Sequence, residues 1–107
     1  MIASEKLYKV TSDFKNCTQV LAAIGDETRQ QILITIMAAG CDGVRVGDIT
    51  AQTHLSRPAV SHHLKILREA GIVNMYKVTT KNYYYIDPTS WIANLKDLIT
   101  HMEDILQ

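Results

Sequence analysis

Ser56-Arg57-Pro58-Ala59-Val60-Ser61-His62-His63-Leu64-Lys65-Ile66-Leu67-Arg68-Glu69-Ala70-Gly71 is written as one amphipathic helix with both ends marked. Val60, Leu64 and Leu67 recur at i, i+4 and i+7, so they share a single apolar face. Arg57, Ser61, His62, Lys65 and Arg68 fall on the other side. Ser56 supplies a side-chain acceptor for the first-turn amides, and Pro58 is tolerated there because those amides have no intrahelical acceptor. Gly71 is the natural stop, and a helix over about 57–70 is predicted.

Downstream, Ile72–Val78 and Tyr83–Ile86 are β-branched and aromatic and flank the polar Thr79-Thr80-Lys81-Asn82. That pattern predicts a hairpin over about 72–86 with a four-residue polar tip. Asp87-Pro88 ends it, Thr89 or Ser90 can cap a last helix, and Trp91, Leu95, Leu98, Met102 and Ile105 stripe that helix over about 90–106. Upstream, Val46 to about Thr53 is long enough for only two helical turns. Before it, Asp26 can cap a helix with Ile32, Leu33, Ile36 and Met37 on its apolar face, stopping at Gly40. The chain opens with a helix over about 4–24, striped by Leu7, Val10, Phe14, Cys17, Val20, Leu21 and Ile24. The expected fold is mainly α with a β-hairpin wing, a single domain over residues 1–107.

With 107 residues, 47% of them apolar, the chain has room for one modest core. No segment has the roughly 20 apolar residues of a membrane span, and Met1–Lys6 lacks the apolar run of a secretion signal, so a cytoplasmic protein is expected. Net charge is zero, but it is polarised. Between His54 and Lys81 the cations Arg57, Lys65, Arg68, Lys77 and Lys81 face only Glu69, while acids collect after Asn82. No glycine-rich phosphate loop, paired carboxylates or supported nucleophile is present, so no enzyme activity and no cofactor are expected.

Two short helices joined by a tight turn, the second followed by a hairpin with a basic tip, form a winged helix-turn-helix. Such a second helix fits the major groove of duplex DNA, where its outward polar groups reach base edges. The stretch Leu21–Leu33, with Gly25-Asp26-Glu27-Thr28-Arg29, and the stretch Leu55–Val73 resemble the corresponding blocks of the ArsR family. The resemblance covers roughly residues 20–87. It implies a homodimeric DNA-binding repressor, built through its first and last helices, that sits on an imperfect inverted-repeat operator and is released by an inducer. It assigns Arg57, Ser61, His62 and Lys65 to the groove, with Ser56, Lys77 and Lys81 on the backbone. His63 reads as a packed, hydrogen-bonded histidine rather than a base contact. Val10, Phe14, Cys17, Trp91, Leu95, Leu98 and Met102 are the expected dimer contacts. The alternative is a winged helix used for dimerisation or partner docking without DNA.

Two metal sites recur in the family, and neither is complete here. Arg45 and Gly47 stand where a Cys-x-Cys pair precedes Asp48, and a guanidinium cannot ligate a metal ion. Pro88, Ser90, His101 and Asp104 stand at the four positions of the other site. His101 therefore reads as a solvated helix residue, and no metal is expected. Cys17 and Cys41 read as ordinary thiols, with an oxidisable pair as the alternative.

Overall fold

Asp26 starts the second helix with a side-chain bond, its carboxylate accepting the Arg29 backbone N–H at 2.9 Å. The computed structural model describes residues 1–107. The elements are α1 (Ser4–Ile24), α2 (Glu27–Ala38), α3 (Val46–Ala51), α4 (Arg57–Glu69), β1 (Val73–Val78), β2 (Lys81–Ile86) and α5 (Trp91–Leu106), with a 3₁₀ turn at Gly40–Asp42. No helix is long and apolar enough to cross a membrane.

The core gathers Ile32, Leu33 and Ile36 of α2, Ile49 of α3, Val60, Leu64 and Leu67 of α4, and Ile72-Val73 at the start of the hairpin. Val20 and Ala23 close it from the end of α1. Met37 was expected on this face but is 53% exposed, because the buried stripe of α2 runs through Ile32, Leu33 and Ile36 only. Gly71, at φ 77°, takes the left-handed conformation that ends α4.

The hairpin is antiparallel, with Val73 opposite Ile86 and Val78 opposite Lys81. Its turn is therefore Thr79-Thr80 alone, and Lys81 and Asn82, expected in the tip, belong to β2. Thr79 sits at φ 57°, unusual for a β-branched residue. Val44 pairs with Tyr84 through two backbone bonds of 2.9 and 2.8 Å, anchoring the wing to the segment before α3. Gly43 makes that approach possible: a Cβ there would lie 2.9 Å from the Tyr84 carbonyl oxygen. The Tyr76 hydroxyl donates to the Asp42 carbonyl at 2.5 Å and its ring stacks on Tyr83, tying the middle of the hairpin to the 3₁₀ turn.

Neither Thr89 nor Ser90 caps α5 with a side-chain bond to its first turn. Asp87 organises that junction instead, accepting from the backbone N–H and hydroxyl of Thr89, while its carbonyl takes the Trp91 Nε1–H. These bonds from Thr89 hold the Asp87 carboxyl below the usual carboxylate range.

α1 and α5 pack side by side and extend beyond the core. The radius of gyration is 16.6 Å, against about 13 Å for a compact domain of this length. α1 carries two adjacent stripes rather than the single one expected. Asp13, Cys17, Val20 and Ala23 are buried, whereas Leu7, Phe14 and Leu21 remain 48%, 46% and 37% exposed. Ile99, Met102 and Leu106 of α5 are likewise exposed.

Candidate nucleic-acid interface

Arg57, Ser61, His62 and Lys65 are all exposed on α4, while Val60, Leu64 and Leu67 on its other side are closed into the core. At about 100° per residue, Arg57, Ser61 and Lys65 lie within about 80° of one another, with His62 about 60° further round. Burial of one face thus aims the other outward. The Ser56 hydroxyl oxygen accepts the Ala59 N–H at 3.3 Å, which caps α4 and leaves its own O–H free to donate. Lys65 is loosely paired with Glu69 at 3.9 Å, both side chains exposed.

The wing places its two lysines differently from each other. Lys77 lies opposite Asn82, and Lys81 opposite Val78. Because strand side chains alternate, the two ammonium groups leave opposite faces of the hairpin. Both are exposed, but only a wing held edge-on to a groove can use both against phosphate.

Arg45, which the sequence presents as a lost metal ligand, belongs to the same surface. With Gly47, Asp48 and Arg57 it lines a cleft of about 180 Å³ between α3 and α4. Neither guanidinium has an ion-pair partner in the chain, so both are available to a phosphate. A cation just before the first helix of a helix-turn-helix was the available signal.

His63 is half-buried, and its Nδ1 lies 3.2 Å from an Arg29 guanidinium nitrogen, as its inward placement suggested. His101 is not the solvated residue expected: its Nδ1 meets the buried Asp13 carboxylate at 2.5 Å. Asp104 pairs with Lys6 at 3.3 Å. Together with Arg45, Gly47, Pro88 and Ser90, this leaves a donor set that does not fit either metal site of the resemblance. Cys17 has no exposed surface and Cys41 is exposed, both as free thiols. Burial pushes the Cys17 thiol pKa up, and the charges of Asp13 and Asp97 add to it.

Of the residues expected at a subunit contact, Phe14 and Met102 are exposed and Val10 is half-buried. Cys17 and Leu98 are already covered within one chain, and Trp91 and Leu95 pack against its core.

Residues 26–75, from the α2 cap into the first strand, match the arsR family of bacterial regulatory proteins. An HTH-type transcriptional regulator of Mycobacterium tuberculosis is 34% identical over 81% of this chain and 78% of its own length. The chain belongs to the ArsR family. This ArsR-family chain is also 31% identical to the transcriptional repressor SdpR of Bacillus subtilis, over 70% of the former and 87% of the latter. The ArsR-like transcriptional regulator from a Rhodococcus species superposes with a TM-score of 0.70 at 26% identity, covering 89% of this chain and 81% of that one. The ArsR-family chain is a DNA-binding transcriptional regulator.

Proposed function

We propose that this ArsR-family regulator is a repressor that binds an imperfect inverted repeat as a homodimer. The observation that carries the reading is the outward set Arg57, Ser61, His62 and Lys65 on a helix whose opposite side is locked in the core. A bidentate guanidinium suits guanine, and hydroxyl, imidazole and ammonium groups suit neighbouring base edges and phosphates. The dimer follows from the second stripe of α1. Leu7, Phe14 and Leu21, with Ile99 and Met102 of α5, leave an apolar surface that a second copy would cover. Repression is supported by the likeness to SdpR, named a transcriptional repressor, and by the simplest consequence of seating a dimer on a promoter. The inducer acts through something other than the two family metal sites, whose ligand sets are incomplete in this chain. The protein belongs in the cytoplasm with its operator.

The test is selection of bound fragments from the source genome followed by footprinting. The expected result is two protected half-sites about 10 bp apart, centre to centre, upstream of a gene whose transcription rises when this chain is removed. A single unsymmetrical half-site, or transcription that falls, would contradict the dimeric repressor.

A further inference from the structure

Each nitrogen of the half-buried Arg29 guanidinium has a partner within the protein. Its Nε donates to the Ala23 carbonyl at 2.7 Å, and Nη2 donates to the Ala22 carbonyl at 3.3 Å. Nη1 meets His63 Nδ1 at 3.2 Å. Ala22 and Ala23 lie in the last turn of α1, Arg29 in the first turn of α2, and His63 in the middle of the DNA-facing helix α4. One side chain thereby ties three helices together. It also places a cation where the last carbonyls of α1 lack intrahelical donors.

The chemistry of this contact is one-sided. A guanidinium has donors only, so His63 Nδ1 must hold a lone pair and the ring proton must sit on Nε2. A second proton would turn the acceptor into a donor and set a positive ring against Arg29. The other charged group facing His63 is Asp26, the α2 cap, whose carboxylate accepts the Arg29 backbone N–H and whose negative charge offsets part of the repulsion that a protonated ring would meet from Arg29. His62 stands next to it on α4, the ring centres 6.0 Å apart. The end of α1, Leu21–Ile24, carries no titratable side chain.

We propose that the Arg29–His63 hydrogen bond is a positioning link that sets the rotation of α4 against the end of α1, and that protonation of His63 breaks it and weakens DNA binding. The proposal rests on the reading of α4 as the DNA-contacting helix. The sign separates this effect from ordinary charge. Protonating His54 or His62, both exposed, adds charge that phosphate would attract, so those groups strengthen binding in acid. His63 does the reverse.

The experiment uses a labelled duplex recovered by the wild-type chain from the source genome, with fluorescence anisotropy of the full-length wild type and three variants. His63→Asn places its amide oxygen where Nδ1 stands and cannot take the proton, His63→Leu removes the acceptor, and Arg29→Lys keeps the charge without the three-way fork. At about pH 7.5, H63N is expected within about twofold of wild type, and H63L and R29K about tenfold weaker, with sedimentation unchanged. As the pH is lowered, the wild type should lose severalfold in affinity relative to H63N, because only the wild-type side chain can take the proton that breaks the link. Parallel pH profiles for wild type and H63N would overturn the proposal even if H63L or R29K fails to fold. So would H63N binding as poorly as H63L at neutral pH, which would make His63 a direct DNA contact. Absence of wild-type binding would overturn the functional reading and the link with it, whereas the ratios between variants test the link alone.

Discussion

His101 Nδ1 on α5 lies 2.5 Å from Asp13 Oδ2 on α1, joining residues 88 positions apart through a carboxylate that is 8% exposed. It is the buried polar clasp of a helix pair that also carries the exposed Lys6–Asp104 ion pair. Replacing His101 by Leu strands the Asp13 carboxylate among Cys17 and the α5 face. The expected cost is about 1–3 kcal/mol of stability, read as a lower urea midpoint at fixed protein concentration. Replacing both partners by Leu should recover most of that loss, because no buried charge is then left unpaired.

Glu69 sits one turn along α4 from Lys65 and pairs with it at 3.9 Å, beside the face proposed to meet DNA. Glu69→Gln removes a carboxylate that phosphate would repel and frees the ammonium. DNA affinity is expected to rise about threefold to tenfold at low salt and to converge on wild type near molar salt. A salt titration of anisotropy checks both limbs.

Periodicity made α4 legible, because Val60, Leu64 and Leu67 face one continuous core and nothing competes for that side. The α2 cap at Asp26 and the stop at Gly71 were equally local, each set by neighbouring backbone. The hairpin was visible in composition, but the faces of Lys77 and Lys81 depend on register, which is set by where a two-residue turn closes. The sequence of α1 shows one stripe, since apolar spacing alone does not distinguish residues facing α5 and the core from those left open. The contacts Arg29–His63 and Asp13–His101 span 34 and 88 residues, and no local pattern announces such pairings. Arg45 stands where the resemblance has a metal-binding thiolate, and its position beside Arg57 depends on the packing of α3 against α4.

The exposed second stripe of α1 leads to a test of assembly. Phe14→Glu or Met102→Glu puts a charge on a surface that is apolar in the free chain, 46% and 36% exposed respectively. Sedimentation at micromolar concentration is expected to show a dimer for wild type and a folded monomer for the double variant. A monomeric wild type would remove the basis for an inverted repeat.

Stability should fall in acid through two carboxylates. The Arg29 backbone N–H lowers the pKa of Asp26, and the bonds from Thr89 lower that of Asp87. A depressed folded-state pKa gives stability that is fully present above the ordinary carboxylate range near about 4 and is lost as pH falls through the lower folded value. Both groups are exposed to solvent screening, so the effect is modest. Thermal melts of wild type and Asp26→Asn/Asp87→Asn between about pH 6 and 2.5 should converge as the wild type loses this contribution.

The outward face of α4 is proposed to read base sequence. Its most direct measurement compares wild type and Arg57→Ala on the selected operator and on a scrambled duplex of equal length, at the same salt. Wild type is expected to prefer the operator by about a thousandfold. R57A should lose about tenfold to a hundredfold of that preference, chiefly through weaker operator binding, with the scrambled duplex little affected. Equal weakening on both duplexes, or a wild type that does not tell them apart, would contradict the account.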